Sequence, residues 1–198
     1  MNRILINLPE IIETPRLILQ MPKAGFGEQL HHAISDGYED YVQWLNWPAK
    51  MPSVEAVEED CRKHHAEFIL RDFIRYLILD KKTNEIVGRC AIPSFQANWL
   101  IPQFGISYFI RKRERSKGYA TESCHAMALL AFKVLSAKKL EIFCDAENIP
   151  STRIPLKLGF KLEYVQKGGW PRKDGKLAEL QTYSIFSESD LPNLVITW

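Results

Sequence analysis

Apolar positions recur along the chain in two rhythms, every second residue and every 3.6 residues, and the rhythms alternate in blocks. Residues 11–21 carry β-branched and leucine side chains interrupted at Thr14-Pro15, which predicts a strand entered through a turn. Residues 28–47 are helical in pattern and end in the aromatics Tyr38, Tyr41, Trp44 and Trp47, just before Pro48. A second helix is predicted over 53–73, where Ser53 offers a cap but Ala56 stands where a capping box has Glu. Glu55, Glu58, Glu59, Asp60 and Glu67 make that helix acidic. Residues 75–80 read as a short strand, 81–84 as a turn, 85–95 as its hairpin partner and 102–110 as a third strand. Over 118–138, Ala120, Cys124, Met127, Ala131, Val134 and Leu135 fall on one face of a helix, off which His125 reads as a surface residue. Leu140, Ile142 and Cys144 alternate with Glu141 and Phe143 in a strand. A short helix over 148–157 ends at Gly159, and strands follow over 161–166 and 177–186. This order is α/β with a mixed sheet, because helices return the chain between 110 and 140 and between 144 and 160.

Composition narrows the class. The 198 residues suit a single domain, 1–198, and 46% apolar with 25% charged residues is ordinary globular chemistry. A net charge of +2 gives no global case for DNA or an anionic membrane. No apolar run approaches the roughly 18 residues that span a bilayer. Cys61, Cys90, Cys124 and Cys144 are widely spaced, which fits reduced thiols and a cytoplasmic location. The pairs His31-His32 and His64-His65 lack further ligands at matching spacing, so no metal is expected.

The most informative stretch is residues 111–118, Arg-Lys-Arg-Glu-Arg-Ser-Lys-Gly, followed by Tyr119, Ala120, Thr121 and Glu122. It leaves a strand and opens a helix, whose N-terminus presents unpaired N–H groups and a positive dipole end. Gly118 and Ala120 are small enough for backbone to approach a ligand closely, and a phosphate or pyrophosphate is the natural occupant. Glu122 in the first turn reads as an ordinary partner of the helix dipole. The spacing is neither a dinucleotide fingerprint nor a P-loop. A solvated basic loop that binds nothing is the plain alternative. RNA binding is the poorer one, because Tyr119 alone is at hand for stacking.

Arg115, Gly118 and Ala120 match the (Gln/Arg)-x-x-Gly-x-(Gly/Ala) pattern of the GNAT superfamily of acetyl-CoA-dependent N-acetyltransferases, which the chain resembles. Asn148, Ser151 and Leu158-Gly159-Phe160 resemble a second motif of that family. Glu13 to Leu19 and Trp44-Leu45-Asn46-Trp47-Pro48 resemble its Rim-type branch, whose members acetylate N-terminal amines of ribosomal proteins. The resemblance implies one GNAT-like domain with a mixed, mostly antiparallel sheet flanked by helices. It implies acetyl-CoA at the strand-to-helix junction. The pantetheine arm would pair with backbone at Phe109, Ile110 and Arg111. Arg115 and the N–H groups of Ser116, Lys117, Gly118, Tyr119, Ala120 and Thr121 would hold the pyrophosphate. Asn148 and Ser151 would lie near the thioester, with Ser151 protonating the leaving thiolate.

Two positions depart from the family pattern: Gly105 stands where many relatives have a basic Glu, and Pro155 where many have an acidic Tyr. Glu179 and Glu163, on late strands, are the candidates for the missing base, and a water relay is the alternative. A weak base favours an α-amine, so a protein N-terminus is the first acceptor expected. The acidic helix would draw in basic residues, and Trp44, Trp47, Trp99 and Trp170 would wall the groove or pack the core. A small-molecule amine acceptor, a non-catalytic acetyl-CoA-binding domain and a homodimer all stay open.

Overall fold

Thr14 bends the first strand back on itself. Its N–H donates to the Leu17 carbonyl, and its hydroxyl accepts from Leu17 N–H at 2.9 Å. The expected single strand is therefore a hairpin, β1 (Ile11–Glu13) and β2 (Leu17–Gln20). The structure, a computed structural model, describes residues 2–45, 47–93, 97–172 and 175–198, the side chain of Trp170 excepted.

The expected first helix is two, α1 (Gly27–Ser35) and α2 (Tyr38–Trp44), separated at Gly37. Helix α3 (Val54–Leu70) starts at Ser53, whose hydroxyl accepts from Ala56 N–H. Strands β3 (Ile74–Asp80), β4 (Ile86–Ile92), β5 (Ala97–Asn98), β6 (Gln103–Gly105) and β7 (Ser107–Ile110) follow. The chain continues through α4 (Tyr119–Lys133), β8 (Lys139–Asp145), α5 (Ile149–Lys157), β9 (Lys161–Pro171) and β10 (Leu177–Ile185).

One mixed sheet was the expectation; the described strands form two. The first, β1-β2-β3-β4-β7, is antiparallel throughout, and the second runs β5-β6-β8-β10-β9. Within the second sheet β6 lies parallel to β8, while the other pairings are antiparallel. The stretch 102–110, expected as one strand, changes sheets in its middle. Gln103, Phe104 and Gly105 pair with Lys139, Leu140 and Glu141, whereas Ser107 to Ile110 pair with Ala91 to Gly88. Ile106 is the last residue bound to β8, through its N–H to the Glu141 carbonyl at 2.9 Å. Beyond it β7 and β8 diverge and leave a cleft.

Two cores hold this frame. Helices α1, α2 and α3 cover one face of β3, β4 and β7 through Leu30, Tyr41, Val57, Leu77 and Phe109. Helix α4 lies in the other core with Tyr76, Ile78, Phe104, Ile142 and Tyr183. Strand β3 is buried on both faces, which is why Tyr76 to Leu79 form an unbroken apolar run. Helix α4 is buried almost all round, so His125, expected at the surface, lies inside with its Nε2 unpartnered, and burial lowers its pKa.

Candidate active site

The chain leaves β7, passes a 3₁₀ turn at Lys112–Glu114 and enters α4 at Gly118. Ser116 and Gly118 both sit in the left-handed region, at φ 64° and 84°, which turns neighbouring N–H groups toward one side. Among the described residues, no protein acceptor takes the N–H groups of Ser116 to Thr121; the first helical bond is Glu122 N–H to Gly118. The site therefore presents six consecutive free donors at a helix start.

The loop's cations are engaged elsewhere. Arg111 is buried between Asp36 and Glu85, Lys112 and Arg115 reach Asp40, Arg113 reaches Glu85 and Lys117 reaches Glu114. Arg115 also lies over the Tyr41 ring, 5.2 Å from its centroid. The anion-binding capacity of the loop thus resides in its backbone, with one cation unforeseen in the sequence. Arg16 on β2 donates to the Lys117 carbonyl at 2.8 Å, and its Nη2 lies 3.2 Å from where a Cβ on Gly118 would stand.

Glu122 is more than a dipole partner. Its buried carboxylate accepts from Thr14 Oγ1 at 2.7 Å, Arg16 N–H at 2.9 Å and Arg16 Nε at 2.6 Å, tying the first hairpin to the start of α4. Tyr119 Oη donates to Asp80, so the loop is fastened to β3 as well.

The edge of β7 facing the cleft can be assigned from alternation. Arg111 N–H donates to the Val87 carbonyl, so the backbone of Arg111, and by alternation that of Phe109, faces β4. Tyr108 and Ile110 then face the cleft. The Ile110 carbonyl is already taken by Tyr41 Oη at 3.1 Å, which leaves Ile110 N–H and both backbone groups of Tyr108 for an added strand. Of the three residues expected to pair with pantetheine, Ile110 presents its backbone to the cleft and Phe109 and Arg111 present theirs to β4, while Tyr108, which the sequence did not single out, faces the cleft beside Ile110.

Across the cleft, Asn148 caps α5 by accepting from Ser151 N–H. Ser151 Oγ meets Tyr108 Oη at 2.8 Å and Cys144 Sγ at 3.3 Å. Burial holds the Tyr108 phenol well above its ordinary pKa and so protonated. The hydroxyl of Tyr108 reaches Ser151 from a strand, where a motif read on the helix does not look for it.

The carboxylates expected as bases are not gathered here. Glu179 is exposed on β10 and its carbonyl is bonded to Ala146, while Glu163 is bound to Lys139 and Ser184. The carboxylate in register with the departed position is Glu141, directly opposite Gly105 and ion-paired with Lys139 at 2.8 Å. The acidic helix is engaged within the chain: Glu58 accepts from Gly25 and Gly27, Glu59 pairs with Lys63 and Glu67 with Arg75. Trp47 packs on Tyr41 and Phe109 near the cleft and Trp99 packs on Phe104, whereas the Trp170 side chain and Asn46 lie outside the described residues. No group of three or more metal-ligating side chains occurs among the described residues, nor any helix long and apolar enough to cross a membrane.

A strand that leaves one sheet for another, an open edge beyond the split and a bare helix start at its end define an acyl-donor cleft of the acetyltransferase type. The chain belongs to the GNAT family: residues 16–161 match the acetyltransferase (GNAT) domain. It is 25% identical over 114 residues to the uncharacterized N-acetyltransferase p20 of Bacillus licheniformis, a match covering 56% of this chain and 61% of that protein. Among solved structures it resembles RimL, the ribosomal L7/L12 alpha-N-protein acetyltransferase, in complex with coenzyme A. The TM-score is 0.80 at 20% identity, over 89% of this chain and 98% of the other. The ribosomal-protein-S5-alanine acetyltransferase from Vibrio fischeri also gives 0.80, at 12% identity over 92% and 99% of the two chains.

Proposed function

We propose that this protein is an acetyl-CoA-dependent N-acetyltransferase whose acceptor is an α-amine, with a protein N-terminus such as that of a ribosomal protein as the first candidate. The observation that carries the donor side is the open β7 edge running into six free N–H groups at the start of α4. The pyrophosphate takes those donors, and the pantetheine amides pair with Tyr108 and Ile110. The thioester then lies toward the split at Ile106. Attack by the neutral amine forms the N–C bond, and the Tyr108 N–H, left over when pantetheine takes the Tyr108 carbonyl and the Ile110 N–H, stabilises the oxyanion. The C–S bond breaks, and the thiolate takes a proton from Ser151 Oγ, which Tyr108 Oη replaces, while water from the open cleft returns the proton to Tyr108. The amine's proton leaves to water or to Glu141.

The α-amine preference follows from the missing Glu at position 105. At pH 7 an amine of pKa 7.8 is about 14% neutral and a lysine about 0.04%, so a weak base costs the α-amine about 300-fold less. The ribosomal α-N-acetyltransferase RimL among the structural neighbours supports the same reading.

The test is thiol release from acetyl-CoA with two peptides, one with a free N-terminus and no lysine, the other blocked and bearing one. The expected result is faster release with the first, its kcat/KM rising with pH up to about 8 and then levelling. Equal rates remove the α-amine reading, and tight acetyl-CoA binding without release on any amine makes this a non-catalytic binding domain.

A further inference from the structure

We propose that the acceptor carries a carboxylate a few bonds from its amine, and that Arg75 and Arg89 bind that carboxylate in the pocket beside Ser107. The proposal rests on the acetyl-transfer reading and specifies the acceptor side of the same cleft.

A cavity of about 80 Å³ opens on the face of the first sheet covered by α1–α3, and Trp47, Phe73, Arg75, Arg89, Ser107 and Phe109 are among its lining residues. Strand register explains how two arginines come to share it. Ser107 pairs with Ala91, and Ala91 with Arg75; Phe109 pairs with Arg89, and Arg89 with Leu77. Arg75 and Arg89 are thus diagonal neighbours on one sheet face, and Arg89 is likewise diagonal to Ser107, the first residue of β7 beyond the split. With strands about 4.8 Å apart, the guanidiniums stand within a few bonds' reach of an amine presented at the split.

The two arginines of this cavity are not equally partnered. Arg75 is buried at 6% exposure; its Nη1 reaches Glu67 at 3.1 Å, but its Nε is buried with no partner. Arg89 makes no ion pair or hydrogen bond among the described residues and is held only against the rings of Trp47 and Phe109, 5.8 and 5.5 Å from their centroids. Asp60 of α3 acts on both arginines from farther away. Burial, and then the neighbouring Arg89, pull the Arg75 pKa down to about 8, and burial lowers that of Arg89. A cation held unpaired under aromatic rings is costly unless something answers it. A planar anion accepting from two guanidinium forks answers both. The cavity has room for a few heavy atoms, which suits a carboxylate on a short stem.

This reverses the charge preference expected from the acidic helix, because Glu58, Glu59 and Glu67 of α3 are held by partners within the chain while the groove presents arginine.

The experiment compares short peptide amides with Asp or Asn at the first or second residue, by thiol release from acetyl-CoA. The expected result is kcat/KM at least 10-fold higher for Asp than for Asn at one of the two positions, and a ratio near 1 in Arg89→Met. Succinate should inhibit competitively against the peptide and not against acetyl-CoA, a readout that stands even where Arg89→Met fails to fold. An Asp-to-Asn ratio of 1 or less at both positions in the wild-type protein overturns the proposal while leaving acetyl transfer intact. Stronger competition by inorganic phosphate than by succinate overturns it in favour of a phosphorylated acceptor. Absence of thiol release with every peptide overturns both readings.

Discussion

The two ends of the cleft are built from different materials. At the donor end the chemistry is backbone: Ser116 to Thr121 offer their N–H groups, and the surrounding cations are tied to Asp36, Asp40, Glu85 and Glu114. At the reactive end it is side chain: among the described residues Arg89 has no carboxylate partner, and a two-residue hydroxyl pair, Tyr108 with Ser151, spans the split. Backbone donors recognise a group that every donor molecule shares and are indifferent to most substitutions. Side chains select among acceptors and change with each substitution. One end is therefore fixed by local conformation and the other by which strands happen to be neighbours.

Gly118→Glu strikes the donor end where backbone geometry is the whole device. It forces a side chain into φ 84° beside Arg16 and puts a carboxylate at the pyrophosphate position proposed above. Acetyl-CoA affinity by calorimetry should fall at least 100-fold, about 2.7 kcal/mol. Unchanged affinity in a folded variant would break the comparison at once.

Next in size is the frame behind that loop. Glu122→Ala leaves Thr14 Oγ1 and two Arg16 donors without their acceptor and should cost about 2 kcal/mol of stability. In a thermal melt that is a loss of roughly 4–8 °C for a domain of this size. A melt that does not move would show the hub to be incidental.

At the reactive end, Ser151→Ala should lower kcat about 10-fold, or 1.4 kcal/mol, with acetyl-CoA affinity nearly intact. Tyr108→Phe should do the same. Because the two hydroxyls act through one hydrogen bond, the double variant should be no worse than either single one. Additive losses would assign them separate roles.

The smallest effect sharpens the claim that the loop's cations are engaged. Asp40→Asn releases Arg115 and Lys112 from an exposed pairing, so stability should change by less than about 0.5 kcal/mol. Freed from Asp40, these cations should make acetyl-CoA binding more salt-dependent, measured between 0.05 and about 0.3 M salt. Identical salt dependence would show that Asp40 does not restrain them.

Where the sequence was read correctly, the signals were local. The helix start at Gly118, the Asn148 cap and the 3.6-residue rhythm of α4 each sit within a few neighbouring residues. Burial misled the reading of His125 because a helix covered almost all round shows no clean outer face. The split at Ile106 left no trace in the run 102–110, since a strand keeps the same alternation whether its partner is β8 or β4. Tyr108 was overlooked for the same reason, because which backbone groups are free depends on which edge is open.

The sequence by itself determined the loop, because left-handed glycine, small residues and a following apolar helix are properties of consecutive residues. It also determined the family, through motifs whose spacing survives along the chain. Only the tertiary structure decided the chemistry of the cleft. Glu141 stands opposite Gly105, Ser151 meets Tyr108 from 43 residues away, and Arg75 shares a face with Arg89, all through strand register. Register is set by the packing of whole sheets against their helices, and no local stretch of sequence carries that information.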